Sequence, residues 1–345
     1  MRSQIAVFVA AFFAALALGQ VRPAPGPPAG PAKLLYFAHT EEPRNIQEIM
    51  QVVRATLELP QATFDESQRA LAIRGTKDQI AAAQWLFTEL DRSPIVPRQH
   101  SSNHGYELPG DTEGTIRIFY AAYTASMQEF QELAQLVRTV PEMRRTFTYN
   151  GLNAIVVRGT PAQIGLAESL FNELDKPPAV PFQHATSPEY LLSGDNDGVT
   201  RVFYTAYAKT VQAFQEIAQG MRTIPEIRRT FTFNPQRAIT VRGTAAQVAM
   251  AEWLFNDLDQ PNLGSPVATL NADAIHEFRS PGSDDVIRVF YLINTPDVPY
   301  FQRVAQEVRV KAGIMHLFTY NDRRALVVRG NSAQIAAAER IVRPN

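Results

Sequence analysis

One phrase that recurs four times constrains the fold of this chain more than any other feature of its sequence. The dipeptide Arg-Gly marks each copy, and the copies lie 84, 84 and 87 residues apart, at Arg74-Gly75, Arg158-Gly159, Arg242-Gly243 and Arg329-Gly330. A fixed period of this kind is typical of chains built from repeated supersecondary units. Although 345 residues would suffice for about two ordinary domains, the repeat predicts four small modules instead.

Modules and linkers differ in composition. Modules two and three are identical at more than half of their positions. The four modules are predicted over residues 34–94, 116–178, 200–262 and 287–345, the last truncated at its C-terminus. The linkers are predicted over residues 95–115, 179–199 and 263–286. Phrases such as PGDTEGT and SGDNDGVT in these linkers are typical of loops.

The phrase of module two predicts the order β-α-β-β-α. Residues 117–123 are aromatic and β-branched, as in a strand. Apolar residues then recur at helical spacing from Phe130 to Val137, and Pro141 ends this helix. Residues 145–149 and 154–157 read as two further strands, of which the more apolar second one should be central. The predicted class is α+β, with a three-stranded sheet, two helices on one face and a KH-like set of elements.

The second helix of every module begins with a capping box. In module two, Thr160 and Gln163 can each accept a hydrogen bond from the other's backbone N–H, and Pro161 suits the first helical position. The same pairing recurs as Thr76 with Gln79, Thr244 with Gln247 and Asn331 with Gln334. These residues are predicted to be structural helix caps.

The first nineteen residues are predicted to be a secretory signal peptide. Arg2 precedes the uninterrupted apolar run 5–18, and small residues precede a cleavage site before Gln20. The run is short for a membrane span, although an uncleaved anchor remains the alternative. Residues 20–33 are rich in Pro, Ala and Gly and are predicted to form an extended tether. No membrane span is expected after cleavage.

Composition excludes several kinds of chemistry. The chain has no cysteine, which rules out disulfides, thiolate nucleophiles and cysteine-based metal sites. Its formal net charge is −1, so it has no global basic field to hold nucleic acid. No phosphate-binding Gly-Lys-Ser/Thr loop or G-x-S-x-G elbow is present.

The modules resemble the secretin N-terminal repeat, also called the NolW-like domain. The resemblance lies in a strand ending near hAIhVRGT followed by a helix of the form xxQIxxAExLhxxLD, where h is a hydrophobic residue, and it covers all four modules. It stands here as AIVVRGTPAQIGLAESLFNELD in module two and AITVRGTAAQVAMAEWLFNDLD in module three. Modules one and four keep LAIRGTKDQIAAAQWLFTELD and LVVRGNSAQIAAAERIV.

This resemblance implies a location and a type of partner. In secretins such modules lie in the periplasm, associate between subunits into rings and contact other secretion or pilus proteins. We expect no secretin outer-membrane β-domain after the fourth module. The resemblance therefore implies a periplasmic protein made of N-type modules alone.

Candidate sites for metal or acid–base chemistry are weak. Histidines occur at His39, His100, His104, His184, His276 and His316. The i, i+4 pair His100 and His104 lies in a loop-like segment, so solvated linker histidines are expected rather than a metal site. The carboxylates Glu168, Glu252, Glu339, Asp91, Asp175 and Asp259 recur with the module. Catalytic pairs belong to one site, so these acids are expected at helix surfaces and helix ends, and no enzyme activity or cofactor is predicted.

Arginines are the candidate interface residues. The repeated Arg74, Arg158, Arg242 and Arg329 could bond within the module or pair across a subunit contact. Arg144-Arg145 and Arg228-Arg229 precede the second strand, where they could protect a sheet edge or face an acidic partner. On the first strand, one residue of each Phe-Tyr pair should enter the core, and the other should lie on the open face, either exposed for binding or buried under a linker.

Two functions from different classes follow. The first is an exported, non-catalytic scaffold that associates with itself or with a secretin, secretion-system or pilus partner. The alternative is single-stranded nucleic-acid binding, since KH modules contain similar elements. KH recognition depends on a G-x-x-G loop, and no such tetrapeptide lies between the helices here.

Overall fold

The computed structural model describes residues 32–94, 98–103, 105–261, 276–279 and 284–343. The predicted signal peptide, tether residues 20–31, His104 and most of the third linker lie outside these ranges. Within them, no helix has the length and apolar character needed to cross a bilayer.

Helices and small antiparallel sheets alternate along the chain in four units, which confirms the α+β class. Unit 1 contains β1 (Lys33–Tyr36), α1 (Pro43–Leu57), β2 (Gln61–Asp65), β3 (Ala70–Arg74) and α2 (Lys77–Leu90). Unit 2 contains β4 (Ser101–Ser102), β5 (Tyr106–Glu107), β6 (Thr115–Tyr120), α3 (Met127–Thr139), β7 (Arg145–Tyr149), β8 (Ala154–Gly159) and α4 (Pro161–Leu174).

The later units repeat this order. Unit 3 contains β9 (Ala185–Thr186), β10 (Tyr190–Leu191), β11 (Val199–Tyr204), α5 (Val211–Thr223), β12 (Arg229–Phe233), β13 (Ala238–Gly243) and α6 (Ala245–Leu258). Unit 4 contains β14 (His276–Arg279), β15 (Val286–Tyr291), α7 (Val298–Lys311), β16 (His316–Tyr320), β17 (Ala325–Gly330) and α8 (Ser332–Val342).

The sheets are larger than the three strands that the sequence predicts. Unit 1 has the order β1-β3-β2, but units 2, 3 and 4 have five, five and four strands. The extra strands are β4, β5, β9, β10 and β14, which come from the predicted linkers and pair with the first strand of the following helix–sheet unit. Pairing satisfies backbone groups that an open edge would leave to water. The second strand, β7 in unit 2, remains at the opposite edge.

Each unit has a core between its two helices and one face of its sheet. In unit 2, Phe119 and Ile155 pack with Phe130 of α3 and Phe171 of α4. This arrangement follows from the sequence, because the apolar stripe of each helix and alternate residues of each strand must leave water together. The other face of each sheet is called here the outer sheet face.

The second helices start with reciprocal caps. The backbone N–H of Thr160 donates to Oε1 of Gln163 at 3.0 Å, and the N–H of Gln163 donates to the Thr160 hydroxyl. Thr76 with Gln79, Thr244 with Gln247 and Asn331 with Gln334 form the same reciprocal pair. The Gln side chain also donates from Nε2 to a carbonyl of the turn after the unit's first helix, as Gln163 does to Pro141 at 3.1 Å. The cap therefore fixes both helices of a unit.

Candidate protein interface

The outer sheet face of each later unit packs on the helices of the unit before it. Ile118 and Val156 of unit 2 belong to the same apolar cluster as α1 and α2 of unit 1. Val202 and Phe233 of unit 3 join the core of unit 2 in the same way. In unit 4, Val289 and its neighbours join the core of unit 3. The units are therefore layers of one stack, and each contact between consecutive units is called here a junction.

The repeated arginine lies in these junctions. Nη1 of Arg158 donates to the carbonyl of Thr56, near the end of α1, at 2.7 Å. Arg242 donates in the same way to Val140 at 2.5 Å, and Arg329 donates to Ile224 at 3.0 Å. The sequence predicts a bond within the module or a contact between subunits, whereas Arg158, Arg242 and Arg329 each bond a carbonyl of the preceding unit of the same chain. Arg74 occupies the corresponding position at the end of β3 in unit 1.

Aspartates of the predicted linkers complete the arginine's environment. Arg158 pairs with Asp111, and Arg242 with Asp195. Arg329 pairs with Asp285 at 2.7 Å. The Arg242 side chain is 0% exposed, and this burial lowers its pKa. A hydrogen bond from the Asp197 N–H and the nearby Arg242 and Arg229 charges lower the pKa of Asp195. A buried guanidinium is tolerated here because carbonyls and a carboxylate surround it.

A second arginine crosses the junction at the sheet edge. Arg145 begins β7 and donates to Glu58 of unit 1 at 2.8 Å and to Glu113 at 2.7 Å. Arg229 begins β12 and contacts Glu142 of unit 2 in the equivalent way. Glu58 and Glu142 both have positive φ. Glu58 directly follows α1, and Glu142 lies in the turn after α3, three residues beyond Thr139. The charges predicted to protect the edge strand therefore also tie it to the preceding unit.

A carboxylate–asparagine contact, not predicted from the sequence, recurs in all three junctions. Glu48 on α1 accepts from both the backbone N–H and the side-chain amide of Asn150, each at 3.0 Å. Glu132 contacts Asn234 and Glu216 contacts Asn321 with the same geometry. The signal in the sequence was a Glu at the same position of three successive first helices, matched by an Asn after three successive second strands.

Arg144 and Arg228 differ from the other candidate arginines. Both precede an edge strand and are exposed, at equivalent positions of units 2 and 3. Their neighbours Arg145 and Arg229 point into the junctions. The structure thus separates the arginine pairs into one residue that holds the stack together and one that faces outward.

The two residues of each Phe-Tyr pair on the first strand point to opposite faces of the sheet, as successive residues of a strand do. Phe119 lies in its own unit's core, whereas the Tyr120 hydroxyl reaches back to the Glu89 carbonyl of unit 1 at 3.2 Å. Tyr204 and Tyr291 donate similarly to Glu173 and Asp257. Burial raises the pKa of all three tyrosines. The open face is thus covered by the preceding unit's helices, which neither alternative from the sequence described.

Three histidines are not the solvated linker residues that the sequence predicts: His100, His184 and His276, the last of which pairs with Asp257 and packs on Tyr291. Nδ1 of His184 lies 2.8 Å from Asp259, Nε2 lies 3.0 Å from Asn256, and the ring stacks on Phe255. His100 has the equivalent position beside Asp175 and Asn172. The hydrogen bond to Asp259 raises the pKa of His184. These rings pack because the linker strands bring them onto the second helix.

The recurring aspartates lie at the ends of the second helices, where the sequence predicts them, and they are buried there. Asp259 ends α6 and accepts from the backbone N–H groups of Ala206 and Tyr207, each at 2.9 Å. The recurring glutamates lie on helix surfaces, as Glu252 does beside Arg201. In the described part of the chain, no cluster of three or more His, Asp or Glu side chains is placed to hold a metal ion.

A polar groove runs beside the edge strand at the first junction. It has a volume of about 370 Å³ and lies between α1 and α3. Glutamines from both helices and two threonines of β7 line it: Gln51, Gln131, Gln135, Thr146 and Thr148. Its polar lining and open shape suit contact with another protein's surface better than enclosure of a small apolar ligand.

Comparisons with known proteins find likenesses only among solved structures. No protein-family model and no curated protein matches. The N-terminal domain of the secretin XcpQ from Pseudomonas aeruginosa matches with 14% identity over 42% of this chain and 62% of that chain, at a TM-score of 0.18. The ETEC pilotin–secretin AspS–GspD complex matches with 12% identity over 67% of this chain and 38% of that chain, at a TM-score of 0.16.

A third match is ExeD from Aeromonas hydrophila, with 13% identity over 66% of this chain and 40% of that chain, at a TM-score of 0.15. This chain thus spans 62% of the length of the first match.

Proposed function

We propose that this chain is an exported periplasmic scaffold of four tandem secretin-N-like modules that binds protein partners and performs no chemistry. The observation that carries the proposal is the stack itself. Its repeated polar side chains hold successive units together, as Arg242 does between units 2 and 3. A stack of this kind presents equivalent side-chain positions at regular intervals, which suits contact with a repeated or extended partner.

Arg144 and Arg228 are the proposed contact residues on the side of the stack. They occupy equivalent positions one unit apart, are exposed, and stand at the edge strands. A guanidinium pairs well with carboxylates through its two parallel N–H donors. The proposed partner therefore carries acidic groups and belongs to a secretin, secretion-system or pilus assembly. The nucleic-acid alternative gains no support from the structure.

Crosslinking in the periplasm tests this proposal. Cells would express the wild-type chain, the double variant Arg144→Glu/Arg228→Glu, or Lys209→Glu, a control at an exposed lysine. We expect the wild type and the control to be crosslinked to the same envelope protein. The double variant should lose at least about tenfold of that product, because like charges would face each other. Equal capture by all three chains would contradict the proposed surface.

A further inference from the structure

The two ends of the stack carry the two kinds of surface that pack against each other in the internal junctions: a sheet face at one end and a helix face at the other. Among the described residues, no other unit covers the outer sheet face of unit 1 or the outer side of helix α7 in unit 4. On the first of these surfaces, Tyr36 is 59% exposed, and Thr63 and Glu66 are exposed as well. On the second, Arg303 and Glu307 are exposed. These two surfaces occupy the positions that form the two halves of a junction inside the stack, so a contact between them would be a further junction.

The helix side of this further junction differs from the helix side of the three internal junctions. Where α1, α3 and α5 carry Glu48, Glu132 and Glu216, α7 carries Arg303. The glutamate at the end of the first helix, Glu142 in unit 2, is replaced by Gly313 in unit 4. A small or apolar residue, Gly220 in unit 3, is replaced by Glu307. Unit 4 therefore lacks the two acids that hold a following unit, and carries a cation, Arg303, and an acid, Glu307, at new positions.

The sheet side has changed at the positions that face these residues. Where units 2, 3 and 4 carry Asn150, Asn234 and Asn321, unit 1 carries Glu66. Phe318, which packs on Gly220 at the third junction, corresponds to Thr63. Arg145 corresponds to Gln61. The carboxylate, which lies on the helix in the internal junctions, lies on the sheet in unit 1.

We propose that unit 4 of one copy of this chain stacks on unit 1 of a second copy, head to tail. Arg303 of the first copy forms an ion pair with Glu66 of the second, where internal junctions have a Glu–Asn contact. Glu307 of the first copy faces Thr63 of the second, so two polar side chains meet at this position. The proposal rests on the assembly role proposed above, but it concerns the ends of the stack rather than its side, so the two can fail separately.

The charges also oppose incorrect stacking. Unit 1 placed on an internal helix face would bring Glu66 against a glutamate such as Glu132. An internal sheet placed on unit 4 would bring Arg229 or its equivalent to a face without the acid of the internal junctions. Like charges in contact reduce the affinity for incorrect partners. Because this end contact is more polar than the internal junctions, it forms reversibly and weakens with salt. A head-to-tail contact of this kind extends into open chains unless its rotation closes a ring.

Sedimentation velocity of the purified protein at rising concentration and low salt tests the proposal. We expect the average mass to rise with concentration for the wild type and for the control Lys209→Glu. Arg303→Glu and Glu66→Arg should each weaken association by at least about tenfold, since each places like charges at the contact. The double variant Arg303→Glu/Glu66→Arg should associate again, because its charges are exchanged.

Mixing the two single variants provides the sharpest test. Each fails alone, but in a mixture every contact between different variants joins opposite charges, so association should return. This result also shows that neither variant is misfolded. A wild type that stays monomeric at all concentrations would overturn the proposal, as would single variants that associate normally or a mixture that does not associate. Crosslinking through Arg144 and Arg228, measured on Arg303→Glu, reports separately on the proposed partner surface.

Discussion

An arginine at each junction joins two units by its own hydrogen bonds, buried at the first two junctions and half-buried at the third. Arg242 shows this most clearly, because its side chain is 0% exposed and contacts Val140 of unit 2 together with Asp195 and Asp197 of unit 3. Breaking a buried pair leaves its partners desolvated and unpaired, which costs more than the pair itself contributes. The residue therefore stabilises the contact between units 2 and 3, together with the apolar packing of Val202 and Phe233.

Replacement of Arg242 by Met should lower the free energy of unfolding by about 3 kcal/mol. Methionine keeps the aliphatic part of the side chain, but the Val140 carbonyl and the Asp195 carboxylate lose their donor. Chemical denaturation measures the change. The matched variant Arg228→Met, at an exposed arginine, should change stability by less than about 0.5 kcal/mol. Equal effects in the two variants would argue against the junction role.

The stability of unit 3 should depend on the protonation of His184. Its folded pKa is raised above the ordinary value of 6.5, chiefly by Asp259. A raised pKa gives stabilisation that is fully present below about pH 6.5 and is lost as pH rises through the folded pKa. Subtracting the unfolding free energy of His184→Gln from that of the wild type should therefore give a difference that shrinks over this range. A difference in unfolding free energy that does not change with pH, or an NMR titration midpoint of His184 below 6.5, would disprove the predicted role of His184.

The residues of the junctions were only partly predictable. The sequence marked the repeated arginines, since they recur at a constant period, but left open whether they bond within a module or between subunits. It missed Glu48 and Asn150, which lie 102 residues apart. Periodicity identifies equivalent positions, whereas the side chain opposite each of them depends on how the units stack.

At the scale of the element, the capping glutamine connects the two helices of a unit. Gln247 accepts from the Thr244 N–H through Oε1, and its Nε2 donates to the carbonyls of Pro225 and Glu226, both at 3.1 Å. An ordinary capping box needs only the bond that the side-chain oxygen accepts from the N-cap backbone N–H, and a glutamate accepts this bond as well as a glutamine does. Only the amide can also satisfy the carbonyls after α5.

Gln247→Glu should therefore destabilise the chain by about 1–3 kcal/mol, even though glutamate is a favourable capping residue. The carboxylate would face two carbonyls that need a donor. Thermal unfolding of this variant should show at least as large a loss as Gln247→Ala, which removes both functions. A neutral Gln247→Glu would mean that the bonds to Pro225 and Glu226 contribute nothing.

The helices were easier to predict than the small strands. The second helices begin at their caps and the first helix of unit 2 ends before Pro141, because these signals are local. The linker strands β4 and β9 are only two residues long and carry no alternation of apolar and polar residues. They form because an adjacent strand offers unpaired backbone groups, which the linker sequence itself does not encode.

At the scale of the whole molecule, the stack predicts which truncations the chain tolerates. Removal of residues 1–94 would uncover Ile116, Ile118 and Val156 of unit 2, all 0% exposed in the full chain. An uncovered apolar sheet face of this kind promotes aggregation. The truncated chain should bind a hydrophobic dye and form large particles in light scattering, whereas the full chain should do neither to the same extent.

A variant with polar residues on the outer sheet face of unit 2 separates exposure of that face from a general loss of folding. Ile118→Lys combined with Val156→Thr should restore solubility to the truncated chain, but should destabilise the full chain by burying polar groups without partners. If the truncated chain remains a soluble monomer without these substitutions, the packing of unit 2 on unit 1 is not needed. The stacking itself could not be predicted from the sequence, because four similar modules allow many pairings of the same faces.

The outer sheet face is polar in the unit that is synthesised first and apolar in the units that are synthesised later. Translation produces unit 1 first, and its outer sheet face carries Thr63 and Asp65 where unit 2 carries Phe147 and Tyr149. Every later unit brings an apolar sheet face to helices that have already been synthesised. In the part of the chain that the structure describes, no apolar outer sheet face has to wait for a downstream segment, so the chain can consolidate layer by layer from its N-terminal side.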